Sequence, residues 1–189
     1  LRGTEVSRAK TSAEMKVLFL IGRLDVGGAE ARSLRLFEEI QRRGEDIQPF
    51  IYVISGKKGR FDSRFQAAGV ELIYGRPDLT GLWQIFKISR QMSPDVVHVN
   101  AQLASGLYCI AAWLGGARYR VAHMRVTDSS QSGRALRKRD ILYRFLLNRF
   151  SSLVVGVCAG ARLHSGTPER RWTTIYNGVD VVEEANLAT

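Results

Sequence analysis

Residues 15–30 read Met15-Lys16-Val17-Leu18-Phe19-Leu20-Ile21-Gly22-Arg23-Leu24-Asp25-Val26-Gly27-Gly28-Ala29-Glu30. The first seven positions form a dominantly apolar run of strand length that does not alternate. That pattern suits a parallel strand covered on both faces. Paired glycines follow, and then a segment of helical periodicity over 29–43 that closes on Arg42-Arg43-Gly44. A basic last turn ahead of a glycine is a helix C-terminus. One strand, one glycine turn and one helix thus set the first unit of an α/β fold.

Outward from this unit the pattern repeats. Further strand-length apolar runs lie at 47–54, 70–74, 95–99, 119–124, 152–157 and 172–176. Helical periodicity is read at 61–68, 79–92, 103–115, 134–150 and 159–164. Pro94 forces Ser93 out of helical geometry just before Asp95-Val96-Val97 opens a strand. Residues 127–133 are small and polar and read as a loop. Repeated strand–helix alternation predicts a Rossmann-like, doubly wound parallel sheet. Ligands of such sheets collect at the carboxyl ends of the strands.

Bulk properties bound the rest. A chain of 189 residues makes one good-sized domain and buries a core without staples. Residues 1–14 are polar and of mixed charge, unlike a signal peptide, and are read as a tail outside the fold. The domain spans 15–180, and 181–189 begin a linker or tail. Cys109 and Cys158 have no redox or metal spacing, which fits a reduced, cytoplasmic setting. No apolar run reaches the roughly 18 residues of a spanning helix. The formal charge of +10 fits an anionic substrate, a nucleic acid or an acidic membrane surface without choosing among them.

The glycine turn is the first candidate site. Gly27 and Gly28 at a helix N-terminus let an anionic group approach unpaired N–H donors. Gly22 and Gly27 have P-loop spacing, but Gly28-Ala29 stand where Lys and Ser/Thr belong, which argues against a nucleotide triphosphatase. The stretch also lacks the GxGxxG of dinucleotide-binding folds. Glu30 complements the helix dipole, and a plain flexible turn is the structural alternative.

Gly27-Gly28-Ala29-Glu30 resembles the opening motif of family-four retaining glycosyltransferases. Similar matches follow in order: Asp95-Val96-Val97-His98-Val99-Asn100, Val121-Ala122-His123-Met124-Arg125, Leu153-Val154-Val155-Gly156-Val157-Cys158 and Ile175-Tyr176-Asn177-Gly178-Val179-Asp180. The resemblance implies one half of a two-domain GT-B architecture. Its first domain positions the acceptor and its second grips a nucleotide-diphosphate sugar. The glutamate-bearing donor motif belongs to that second domain, so this chain is expected to be inactive alone. The resemblance needs no cofactor or metal, and no Asp-x-Asp motif occurs.

By that resemblance, His123 is the catalytic candidate, at a strand end near the transferred sugar. The alternative is a core histidine tied to a backbone carbonyl. Arg125, two residues on, should point the same way and bind an acidic acceptor or phosphate, or else pair with Asp128. Asn100 is the second acceptor candidate, although the family often has histidine near it. His98, between valines, reads as a core residue. Asn177 and Gly178 would line the donor cleft or form a plain turn. Cys158 stands where the family commonly has a capping serine and reads as structural.

Two rivals are weighed. A flavodoxin-like signalling receiver needs clustered acids after the first strand, where Gly22-Arg23-Leu24 stands. A nucleic-acid-binding module needs aromatics interleaved with basic residues on an open face, whereas these aromatics fall at core periodicity. A membrane surface is a further expectation. On segment 134–150, Leu136, Leu142, Tyr143, Leu146, Leu147 and Phe150 should face the sheet, with Arg134, Arg137, Lys138, Arg144 and Arg149 opposite. Ile141 and Phe145 fall among those basic residues, as on an interfacial helix, which would place the protein peripherally on an acidic inner leaflet. A solvated face with both apolar residues packed on a loop is the alternative.

Overall fold

The structure is a computed structural model that describes residues 14–125 and 138–176. Its seven strands are β1 (Met15–Ile21), β2 (Ile47–Val53), β3 (Glu71–Tyr74), β4 (Val96–Val99), β5 (Tyr119–Met124), β6 (Leu153–Gly156) and β7 (Trp172–Thr174). The helices are α1 (Gly28–Arg43), α2 (Asp62–Ala67), α3 (Leu79–Met92), α4 (Ser105–Leu114), α5 (Lys138–Phe150) and α6 (Ala159–Ser165). All seven strands join one sheet in the order β3-β2-β1-β4-β5-β6-β7, and every pair is parallel. The expected doubly wound Rossmann-like sheet is present, and its order reverses between β1 and β4.

Side chains of β1 alternate between two apolar layers, which explains its unbroken apolar run. Val17, Phe19 and Ile21 pack with Leu34 and Phe37 of α1 and Phe65 of α2. Leu18 and Leu20 pack on the other face with Ile85 of α3 and Cys109, Ala111 and Ala112 of α4. Each fully buried Leu, Ile or Phe contributes about 1.5–3 kcal/mol. Gly44 ends α1 in the left-handed region at φ 62°, as its place after Arg42-Arg43 predicts. Ser93 leaves α3 at φ 47°, left-handed rather than in the extended geometry that a following proline favours.

A third cluster joins Leu147 of α5 to Leu103, Ala122, Met124, Val154 and Ala161. Contact with α4 sets the phase of α5: a Cβ on Gly106 would stand 2.5 Å from the Leu147 backbone nitrogen. Two expectations for α5 need correction. Leu142 does not face the sheet but is 52% exposed. Arg144, expected on the outer basic face, is half-buried, and its Nε is buried without a partner. The buried stripe centres on Leu147, from which Leu142 lies about 140° around the helix and Arg144 only about 60° at 100° per residue. Lys138, Ile141 and Phe145 are exposed as expected, whereas Arg134, Leu136 and Arg137 lie outside the described residues.

Candidate functional site

β1 runs into the glycine turn, and Gly27 precedes α1 with an extended backbone and no side-chain cap. Neither Gly27 nor Gly28 has positive φ, so no backbone strain calls for glycine there. What glycine provides is space. A Cβ on Gly28 would meet nothing within 4 Å, and one on Gly27 would meet only the Glu30 carboxylate. Space is thus left beside Gly28 at the first turn of α1, whereas the Glu30 carboxylate stands against Gly27.

Asn100 and Arg125 follow directly after β4 and β5. Arg125 Nε donates to Asn100 Oδ1 at 3.1 Å, and Nη2 donates to Ser33 Oγ of α1 at 3.2 Å. The Ser33 hydroxyl in turn donates to the Ala29 carbonyl at 2.9 Å. Gln102 Oε1 accepts from the Arg125 backbone N–H at 3.2 Å. Gln102 holds a left-handed backbone with φ 54°, a conformation that costs a non-glycine residue about 1–2 kcal/mol. One guanidinium thus ties the ends of β4 and β5 to the first turns of α1. Gly22, Ala29, Glu30, Ser33, Asn100, Gln102 and Arg125 line a cleft of about 180 Å³ at the point where the strand order reverses. That is where such sheets bind ligands.

His123 and Arg125 lie on the α1 side of the sheet, as the strand alternation requires. His123 Nδ1 and His98 Nε2 are 3.2 Å apart, and their rings stack with centroids at 5.3 Å. His98 also lies against Phe19, with centroids 5.0 Å apart. His98 is therefore more than the isolated core residue expected from its valine neighbours: it is the hydrogen-bond partner of His123. Burial, with His123 and Arg125 nearby, lowers His98 to about 3. Burial, with Arg125 and Arg32 nearby, lowers His123 to about 4. Both imidazoles are neutral at physiological pH, so one nitrogen donates and the other accepts. His123 Nε2 is buried without a partner, and His123 is not among the cleft-lining residues. A neutral imidazole so placed offers one hydrogen-bonding atom to a group that reaches past its neighbours.

The structure brings Gly27, Gly28, Asn100 and Arg125 to the carboxyl edge of the sheet, with His123 beside them. The alternative partner for Arg125, Asp128, and the donor-cleft candidates Asn177 and Gly178 lie outside the described residues. Lys138, Ile141, Arg144 and Phe145 belong to α5, which packs on α4, and none of them lines this cleft. Cys158 precedes α6 at its N-cap and makes no side-chain cap bond. Sequence reasoning missed Ser33 and Gln102. Ser33 left a signal, because it is a polar residue on the buried stripe of α1 beside Leu34 and Phe37.

The glycosyl transferase 4-like domain profile matches residues 27–178, from the glycine turn to the segment after β7. The chain belongs to that family. Over 173 residues it is 24% identical to the capsular polysaccharide biosynthesis glycosyltransferase CapH of Staphylococcus aureus, covering 88% of this chain and 48% of CapH. Anabaena HepE, in its complex with UDP-glucose, superposes with a TM-score of 0.66 at 20% identity, over 88% of this chain and 44% of HepE. The lipopolysaccharide outer core galactosyltransferase WaaB superposes with a TM-score of 0.68 at 13% identity, over 89% of this chain and 47% of WaaB. The glycosyl transferase 4-like domain described here thus spans about half the length of these relatives, and its fold is that of GT-B glycosyltransferases.

Proposed function

We propose that this chain is the N-terminal, acceptor-side half of a retaining, family-four glycosyltransferase. The whole enzyme moves a sugar from a nucleotide-diphosphate sugar to a glycan, lipid-linked or small-molecule acceptor. The observation that carries this reading is the cleft at the strand-order reversal, where the first turns of α1 meet Asn100 and Arg125. HepE was captured with UDP-glucose, which supports a nucleotide sugar as the donor.

In this reading the chemistry needs no resident metal or cofactor. Gly27 and Gly28 admit the donor's diphosphate or sugar to the α1 N–H groups, which favour negative charge. His123, kept neutral by burial, hydrogen-bonds a hydroxyl of the transferred sugar. Asn100 and Arg125 orient the acceptor, and Asn177 with Gly178 extends the wall toward a second domain. That domain supplies most donor contacts, so this half alone does not turn over. The protein's share of the catalysis is preorganised hydrogen bonding to charge that develops as the glycosidic bond breaks.

α5 docks the enzyme on the acidic cytoplasmic face of a membrane. Ile141, Leu142 and Phe145 are 54%, 52% and 62% exposed. Within α3, α4 and α5 the lone carboxylate is Asp140, which is buried beside Arg139 at 3.6 Å. An apolar groove of about 550 Å³ between α3 and α4, walled by Leu79, Trp83, Phe86 and Leu114, widens the same acid-poor layer. Among the described residues no helix is long and apolar enough to cross a membrane. Vesicle co-sedimentation should require acidic lipid, weaken with salt, and drop in the Ile141→Ser, Phe145→Ser double variant.

Transfer measured for the enzyme with its donor-binding half tests the central assignment. His123→Ala should lower turnover on the order of a hundredfold, the usual cost of one positioned donor, while unfolding stays cooperative. Unchanged turnover would return His123 to a packing role. NMR of the newly formed glycoside should show the donor's anomeric configuration, and inversion would remove retention from the reading.

A further inference from the structure

The guanidinium of Arg125 carries information beyond its place in the cleft. Its Nε and Nη2 are held by two neutral groups, Asn100 Oδ1 and Ser33 Oγ. Its third nitrogen, Nη1, is buried with no hydrogen-bond partner, and so is Asn100 Nδ2. No carboxylate bonds the guanidinium among the described residues. Glu30 is the acid that lines the same cleft, and it favours the charged guanidinium from a distance. Arg32 stands close enough to oppose that charge.

Buried charges in proteins are ordinarily paired, and a buried unpaired donor costs about 1–3 kcal/mol, more when charged. Neutral partners on Nε and Nη2 fix the plane of the guanidinium without discharging it, which suits a site prepared for an outside anion. The left-handed Gln102, whose side chain holds the Arg125 backbone, adds a second element of preorganisation. A cleft of about 180 Å³ has room for a group of a few heavy atoms.

We propose that the acceptor carries an oxyanion, a carboxylate or a phosphate, and that Arg125 Nη1 and Asn100 Nδ2 receive it. The word acceptor rests on the glycosyltransferase reading, whereas the anion site stands on its own geometry. Its test therefore needs binding alone. If transfer is never observed the site survives, and if the anion fails to bind the transfer reading survives.

The 189-residue chain, labelled with ¹⁵N, is titrated with methyl glucuronide, methyl phosphate and neutral methyl glucoside. Both anions should shift the Asn100 side-chain amide and the Arg125 Nε–H signals saturably, and the neutral sugar should not. Arg125→Gln should weaken anion binding by about tenfold or more, as expected for one lost charge-assisted hydrogen bond. Asn100→Asp places a carboxylate against the guanidinium at nearly constant shape, so it should abolish anion binding even if Arg125→Gln folds poorly. Saturating UDP should leave the anion in place. Displacement by UDP would assign the site to the donor's diphosphate and overturn the proposal. So would equal shifts from the neutral sugar, no saturable shift, or full affinity in Asn100→Asp. Asp128→Asn should leave affinity unchanged, and a tenfold gain would show that Arg125 already has an internal counterion.

Discussion

Acid should unfold this domain earlier than its carboxylates alone would. His98 and His123 are held near 3 and 4, chiefly by burial, against an ordinary histidine value of 6.5. The folded imidazoles thus stay neutral while the unfolded chain takes up protons below that ordinary value. Stability tied to these groups is intact above about pH 6.5 and is lost as pH falls toward the folded values. Each pH unit inside that window costs up to about 1.4 kcal/mol per group. At pH 5, about 1.5 units into it, His98 accounts for about 2 kcal/mol. His123 is less enclosed and contributes less, so the pair removes roughly 3 kcal/mol between pH 7 and pH 5. That is a large share of the 5–15 kcal/mol typical of a domain. Urea unfolding at pH 7, 6 and 5 measures it directly, provided the m-value holds constant. His98→Leu should remove more than half of the pH dependence, because His123 loses its partner and keeps only its own burial. Stability level between pH 7 and 5, or an undiminished slope in His98→Leu, would refute the neutral buried pair.

Gly28→Val should leave urea stability within about 1 kcal/mol, because the new Cβ meets open space. In the complete enzyme it should weaken nucleotide-sugar affinity without affecting acceptor binding, and undiminished donor affinity would remove the glycine turn from the site. Gly106→Ala should destabilise the domain by about 1–3 kcal/mol, read by urea melts. Its Cβ would stand 2.5 Å from the Leu147 backbone nitrogen, so α4 and α5 must separate.

The fold was legible because strong local signals agreed with one another. Near-continuous apolar runs marked most of the strands, and Gly44 and Pro94 fixed where α1 and α3 stop. The expected helices at 29–43 and 79–92 differ from α1 and α3 by no more than one residue. Facing was harder to read. A helical wheel gives the relative angles of Leu142, Arg144 and Leu147 but not their absolute phase, which here depends on the tight approach of α5 to Gly106. The site was legible residue by residue and not as a network. His98 and His123 were both noticed, yet their contact depends on the β4–β5 register, which pairs His98 with Val121. Ser33 and Arg125 are 92 positions apart, a distance that periodicity does not bridge. The glycine turn, Asn100 and Arg125 could be placed on one edge from sequence because each follows a parallel strand, β1, β4 or β5, at its carboxyl end.

The central claim is that this chain is one half of a nucleotide-sugar glycosyltransferase. The most direct measurement is nucleotide-diphosphate release from a panel of nucleotide sugars, run on this chain alone and on the chain continuous with the sequence encoded after it. Sugar transfer is predicted only when the following domain is present, with negligible transfer or hydrolysis by the 189-residue chain. Transfer by this chain alone at ordinary enzyme rates would contradict the two-domain account, and so would failure of the longer protein to bind or consume any nucleotide sugar.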